Sequence, residues 1–306
     1  MLLSRLAERV YWLGRYLERS EDLGRAVLAH SRMCLDMPHN ALEGFTPLLQ
    51  LSQADGTLGS ARLGKPVSLL SILRVLVLDD EHKVSLLSVT AQARENARAC
   101  RAIIPEESWE TLNLAYLNLL DLVGRPGVAR IERGVEKLIV ACQQIHTQLS
   151  EGMTRDDAFL FVQVGRYIER ADMLLRITQV SETLGSVKDQ DAPFADVRWM
   201  GMLHAQNAYQ VYRREYQGRA DVGSTLRFLL SSQKFPRSLW FSLAEMARSL
   251  SLLPQSEQLV QECEALRAFA APQDPTQPRL YAEGLLSGLA SLSNTLHSTY
   301  FSSAEG

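Results

Sequence analysis

The chain holds 306 residues, 46% of them hydrophobic and 22% charged, enough for a sizeable core in either two domains or one large helical one. A formal charge of −3 without any basic tract argues against a nucleic-acid partner. No apolar run reaches the roughly 18–20 residues of a membrane span, and Glu8 and Arg9 follow too closely on Met1-Leu2-Leu3-Ser4-Arg5 for a signal-peptide core, so no membrane association is expected.

The first helix is predicted from Ser4 to Met33, ahead of Pro38. A loop with Gly44 and Pro47 follows, then a short apolar stretch through Leu51 and an irregular connection over 55–66. Ser68 to Leu78 is apolar enough for a buried helix, and Ser85 to Ile104 forms a longer one closed by Pro105. Pro105-Glu106-Glu107 opens a helix lasting to Val123, with Pro at the first position and acids at the positive end of the dipole. Another helix covers Val128 to Ser150. Thr154 and Asp157 resemble a capping box for the next, which continues to Leu184.

Residues 185–193 read as a linker. Helices are predicted over Phe194–Tyr216, over Val222–Ser231 behind the cap Asp221, and from Pro236 to Leu253. A further one follows Pro254, a proline-rich loop covers 272–278, and Leu280–Tyr300 closes the chain. Two-residue alternation and Asn-Gly hairpin signals are missing. The fold class is therefore all-α, with about ten or eleven helices.

One stretch occurs twice. Gly14-Arg15-Tyr16-Leu17-Glu18-Arg19 returns 151 positions later (14 to 165) as Gly165-Arg166-Tyr167-Ile168-Glu169-Arg170, with Leu against Ile as the only change. Glu21 then answers Asp172, and Arg25 answers Arg176. Ser85-Leu86 and Ser238-Leu239 repeat at a nearly equal offset of 153 (85 to 238). These offsets imply two related helical halves, 1–152 and 153–306, packed as one globular unit with pseudo-two-fold symmetry. The period is too long for a solenoid.

At 100° per residue, Leu6, Val10, Leu13, Leu17, Ser20 and Gly24 share one face of the first helix, an ordinary core stripe. Glu8, Tyr11, Arg15, Glu18, Asp22 and Arg25 share the other, with Arg19 at its edge. Gly14 and Gly24 each cost about 1 kcal/mol relative to Ala in a helix interior, which suggests close approach by another backbone. Three readings of the charged stripe stand open. Its residues form exposed ion pairs worth about 0–1 kcal/mol, or they meet their copies in a buried network fixing how the halves dock, or they line a cavity and grip a carboxylate or phosphate.

A second basic stripe lies in Ala93-Arg94-Glu95-Asn96-Ala97-Arg98 and Arg101. Arg94, Arg98 and Arg101 fall on one helical face, bordered by Glu95, with Trp109 and Asn113 placed to pack and hydrogen-bond beside them. It reads either as a solvated basic face or as an anion site. The six histidines show no HxxxH or HExxH spacing, and Asp79-Asp80-Glu81 and Asp156-Asp157 do not place carboxylates one turn apart, so no metal is expected. There is no P-loop, G-x-G-x-x-G or G-x-S-x-G motif, so neither nucleotide nor other cofactor is expected. The four cysteines, Cys34, Cys100, Cys142 and Cys263, form no CxxC pair and fit reduced thiols in a cytoplasmic protein.

The stretch from Met1 through Tyr11-Trp12-Leu13-Gly14-Arg15-Tyr16-Leu17-Glu18-Arg19 resembles the start of the α-E family of bacterial helical proteins. So do Ala93–Arg98 with Trp109 and Asn113, the second copy of the hexapeptide, and Phe235-Pro236-Arg237-Ser238. Glu81-His82-Lys83-Val84-Ser85 departs from the family pattern, which has Asn-Pro ahead of the Ser. The resemblance implies a gene neighbourhood or fusion with a circularly permuted ATP-grasp protein as partner, and also with a transglutaminase-like peptidase. ATP-grasp enzymes activate carboxylates as acyl phosphates and join them to amines, so it implies an amide- or peptide-forming system.

Two expectations follow. In the first, the chain is the helical subunit of an amidoligase: Arg15, Arg19, Arg166, Arg170 and the group Arg94, Glu95, Asn96, Arg98, Arg101 hold a carboxylate or acyl phosphate, while Glu18 or Glu169 orients the amine or takes its proton. In the second, the chain is a non-catalytic scaffold for the ATP-grasp partner, and the Arg/Glu cluster is structural.

Overall fold

A computed structural model of the chain describes residues 4–36, 48–49, 68–183, 195–218, 220–270 and 278–302. The expected loop at Gly44 and Pro47, the connection over 55–66, the linker over 185–193 and most of the proline-rich loop lie outside them. The described residues form α-helices and no strand. In chain order they are α1 Ser4–Asp36, α2 Leu69–Leu73 running on as a π-helical turn over Arg74–Leu78, α3 Leu86–Ala99, α4 Glu106–Gly124, α5 Val128–Gly152 and α6 Asp157–Thr183. Then come α7 Ala195–Ala205, α8 Tyr209–Glu215, α9 Val222–Ser231, α10 Leu239–Leu250, α11 Glu257–Phe269 and α12 Pro278–Tyr300.

Several helix starts have a side-chain cause. Ser85 and Ser238 accept from the backbone N–H groups of Ser88 and Phe241 and so start α3 and α10. At α6 the capping oxygen belongs to Asp156, which accepts from Ala158 and Phe159, and not to Thr154. Pro105 stands as the residue before the first turn of α4, with Glu106 and Glu107 inside that turn. The stretch expected as one helix over Phe194–Tyr216 breaks into α7 and α8 at Asn207, whose φ of 52° is left-handed. Asn tolerates that conformation better than other non-glycine residues. Here the N–H of Ala208 reaches back to Leu203 and closes the end of α7.

α1 and α6 cross at the centre and share the most extensive helix–helix interface of the described chain. Around α1 lie α3, α5 and α7; around α6 lie α10 and α12. The neighbours follow one order on both sides, since α4 bridges α3 and α5 as α11 bridges α10 and α12. Because α1 has neighbours on several sides, part of its polar stripe is buried along with its apolar one. Tyr11, Glu18 and Asp22 are as inaccessible as Val10, Leu13 and Leu17.

The crossing is close, and glycine makes it so. A Cβ on Gly14 would sit 2.3 Å from the carbonyl oxygen of Val162, and one on Gly165 would sit 2.1 Å from that of Tyr11. The two contacts are reciprocal: each copy of the hexapeptide places its glycine against the backbone three residues ahead of the other copy's glycine. Gly24 likewise lets α5 approach, with Ile139 Cγ1 3.1 Å from the position of a Cβ.

Candidate functional site: a crossed arginine–glutamate network

The close crossing of α1 and α6 forces the two charged stripes against each other, and their charges pair crosswise. Glu169 accepts from Arg15 Nε at 2.7 Å and from Arg19 Nε and Nη2 at 2.5 and 3.0 Å. Glu18 accepts from Arg166 Nε at 3.2 Å and from Arg170 Nε and Nη2 at 2.6 and 2.9 Å. Both carboxylates are fully buried. Aromatic rings flank the arginines on both sides, with more rings on one side than on the other. Arg15 lies over Trp12 and Arg19 over Tyr16, while Arg166 and Arg170 lie over Tyr167.

Electrostatics follow from that pairing. Burial alone would raise the Glu18 carboxyl, but Arg170, Arg237, His146 and Arg166 outweigh it and hold Glu18 well below the usual range. Glu169 is likewise held low, by Arg19 and Arg15 against its burial. Burial would make Arg15 and Arg19 easier to deprotonate, yet the Glu169 charge raises both. Both glutamates are therefore ionised acceptors at neutral pH and poor proton carriers.

On the Glu18 side the network extends further. Arg237, just ahead of α10, reaches Glu18 Oε1 at 3.2 Å and Glu21 Oε1 at 3.2 Å, and donates a short bond to Asp22. Arg25 also donates to Glu21, at 2.8–3.0 Å. His146 of α5 places Nε2 3.3 Å from Glu18 Oε2, and its burial together with Arg166 keeps the imidazole neutral. The second oxygen of Asp22 is buried without a hydrogen bond, as are His146 Nε2 and Arg237 Nε. Burial, with Glu18 and Glu21 nearby, pushes the Asp22 carboxyl up to about 7 against the pull of Arg237 and Arg170.

The Arg25–Glu21 pair is repeated on α6 by Arg176 and Asp172, but the Arg237–Asp22 contact has no mirror image. The counterpart of Asp22 on α6 is Met173, and Val84 stands ahead of α3 where Arg237 stands ahead of α10. The acid and the base that answer each other on one side are both missing from the other. Arg237 stands in the Phe235–Ser238 stretch that carries the family resemblance, which gives it no role, and no local pattern marks His146. Four motif arginines confronting only two motif glutamates give no hint that more acids need a partner.

Glu18, Glu21 and His146 place one ligand atom each within 4.8 Å of one another, the spacing a metal ion requires. The donor set does not suit one, because guanidinium groups already hold both oxygens of Glu18 and one of Glu21. A divalent cation would enter beside four arginines, Arg25, Arg166, Arg170 and Arg237.

The second basic stripe lies apart from the crossing. Arg94 donates to Asn113 at 2.8 Å and to Glu95 at 3.1 Å, and lies over the rings of Trp109 and Tyr116. Arg98 pairs with Glu95, and Arg101 lies over the opposite neighbour of Arg94, Trp109. Asn96 is buried, donates to Gln92 O and accepts from Arg9. Glu95 thus answers the like charges, and Asn96 joins α3 to α1. Among the described residues, no hydrogen bond or ion pair joins this group to the six motif charges. Three cavities are described, and none has any of those six charges in its lining. Cys100, Cys142 and Cys263 are buried free thiols. No described helix is long and apolar enough to cross a membrane.

A Glu-Arg motif also figures in the description of the family that this chain matches. The chain belongs to the Alpha-E family. Residues 2–301 match that family, described as "a predicted alpha-helical domain with a conserved ER motif". The uncharacterized proteins Mb2597 of Mycobacterium bovis and Rv2567 of Mycobacterium tuberculosis are each 22% identical to it over 334 aligned residues, covering 96% of this Alpha-E chain. The same alignments cover 35% of those relatives, so the chain spans about a third of their length. No solved structure matches the chain.

Proposed function

We propose that this Alpha-E chain is the helical scaffold module of an ATP-grasp-associated, amide- or peptide-bond-forming system, and that the crossed Arg/Glu network is the clasp that fixes its shape. One observation carries the reading: all six motif charges satisfy one another across the α1–α6 crossing, with both glutamates fully buried. A carboxylate held by two guanidiniums, with its pKa depressed, neither accepts a proton from an incoming amine nor makes room for an acyl phosphate. The relatives support the modular part, since in them a stretch like this one lies within a polypeptide about three times as long. The partner is a circularly permuted ATP-grasp protein, with a transglutaminase-like peptidase of the same system as a second, and buried free thiols suit a cytoplasmic setting.

A second reading, in which the cluster grips a substrate carboxylate or acyl phosphate, is favoured by one feature. Four arginines face two glutamates, and Arg19 and Arg166 keep 23% and 21% of their side chains exposed. The deciding experiment purifies the chain with its ATP-grasp partner and follows ATP-dependent amide formation by mass spectrometry. The Arg19→Lys variant keeps the charge and loses the fork. The scaffold reading expects wild-type turnover per folded molecule. Loss of turnover at an unchanged melting temperature would overturn it, and failure of the two proteins to associate would remove the partner.

A further inference from the structure

The last turns of α1 form one wall of an open cavity of about 450 Å³, within the ~300–1,000 Å³ typical of small-molecule sites. Arg25, Ala29 and Met33 recur every four residues, as do Leu28 and Arg32 beside them, and so they share the face that lines it. The opposite walls come from Ile139 of α5 and from Met200, Gly201 and His204 of α7. Gly201 helps set the width, since a Cβ there would stand 3.3 Å from Met33 Sδ.

Two chemistries meet in this lining. Leu28, Met33 and Ile139 are each 8% exposed and give an apolar floor. Over it stand two guanidiniums with capacity to spare. Arg25 commits Nε and Nη2 to Glu21, while its Nη1 takes no hydrogen bond among the described residues. Among the described residues Arg32 pairs only with Glu136, at 3.2 Å and with 70% and 51% of the two side chains exposed. Such a pair contributes about 0–1 kcal/mol and yields readily to a better acceptor. His204, stacked on Tyr209 at 4.4 Å, adds a hydrogen-bonding ring at the rim.

We infer that this cavity binds an amphipathic carboxylate, its apolar body on Leu28, Met33 and Ile139 and its carboxylate on Arg25 and Arg32. A neutral apolar ligand would make no use of either guanidinium. A dianionic phosphate would find them partly neutralised by Glu21 and Glu136, over a floor it cannot use. The inference goes beyond the scaffold reading, assigns a ligand site outside the Glu-Arg motif, and is testable without any partner protein.

The test titrates the full chain, carrying ¹³C-methyl methionine, with N-acetyl-L-leucine, octanoate, N-acetyl-L-leucinamide and inorganic phosphate. Saturable shifts of the Met33 and Met200 methyl signals are expected with one or both carboxylates, and binding of the neutral amide at least about tenfold weaker. Preference for N-acetyl-leucine identifies an amino-acid or peptide carboxylate, and preference for octanoate an acyl chain. Arg32→Gln, at an exposed position, should weaken binding about tenfold without changing the melting temperature. Equal binding of acid and amide, equal shifts from phosphate alone, no methyl response at millimolar ligand, or indifference to Arg32→Gln would overturn the assignment.

Discussion

Glu18 and Arg170 stand 152 positions apart in sequence (18 to 170), yet the glutamate accepts from both Nε and Nη2 of the arginine, with 0% and 4% of the two side chains exposed. The mirror pair, Glu169 with Arg19, has the same fork but a more open arginine. A bidentate bond between ions sealed from water ties the two central helices together in position and in angle.

Arg170→Ala removes the cation and leaves Glu18 short of its main partner. The variant should lose about 3–5 kcal/mol of stability in urea unfolding. Arg19→Ala, on the more exposed side, should lose less. Equal losses for the two would mean that burial does not set the strength of these forks.

Gly14 and Gly165 should not tolerate a methyl group, because the atoms a Cβ would strike are carbonyl oxygens of the facing backbone. Gly14→Ala and Gly165→Ala are each expected to cost at least about 3 kcal/mol, at the severe end of single substitutions. Gly124→Ala, at the end of α4 with nothing within 4 Å of the new carbon, should be neutral or gain up to about 1 kcal/mol. Thermal melts of the three variants decide this.

Asp22 carries a pH signature of its own. Its carboxyl titrates near 7 in the folded chain, well above an ordinary Asp. Between about pH 4 and pH 7 the folded state therefore holds a proton that the unfolded state has released. The stability of the wild type relative to Asp22→Asn should fall as pH rises through that window, by no more than about 1.4 kcal/mol per pH unit. Glu18 and Glu169 act in the opposite sense, since their depressed values withdraw stability only as pH falls below the ordinary Glu range. A flat difference curve from pH 4 to 8 would show Asp22 to be ionised throughout.

Arg94 and Arg98 should separate sharply although they share a helical face. Arg98 is 64% exposed and holds only Glu95, so Arg98→Ala should stay within about 0.5 kcal/mol of wild type. Arg94 bonds Asn113 and covers two aromatic rings, and Arg94→Ala should cost about 1–2 kcal/mol in the same unfolding measurement.

The all-α class and most helix boundaries were legible because caps, prolines and apolar spacing act locally. The repeated hexapeptide and Gly14 together pointed to a tight contact between two helices, and the coordinates place the copies face to face. What covers a helical face is not written in its own wheel. Glu18, Asp22 and Tyr11 sort onto a polar stripe, yet these three are buried because α6 and the residues ahead of α10 pack against them. Arg237 and His146 were missed for the same reason: they reach Glu18 from α5 and from the start of α10, far along the chain, and no spacing rule links them. The split of α7 from α8 was missed because it rests on one left-handed Asn with no glycine or proline beside it.

The crosswise pairing has a consequence for cutting the chain. Each half supplies the counter-ions for a carboxylate that belongs to the other, so a protease nick in the short turn between α5 and α6 should leave two fragments that stay together through gel filtration. Either fragment expressed by itself would enclose an unanswered glutamate and should fail to fold. The molecule can be severed there, but it cannot be shared out.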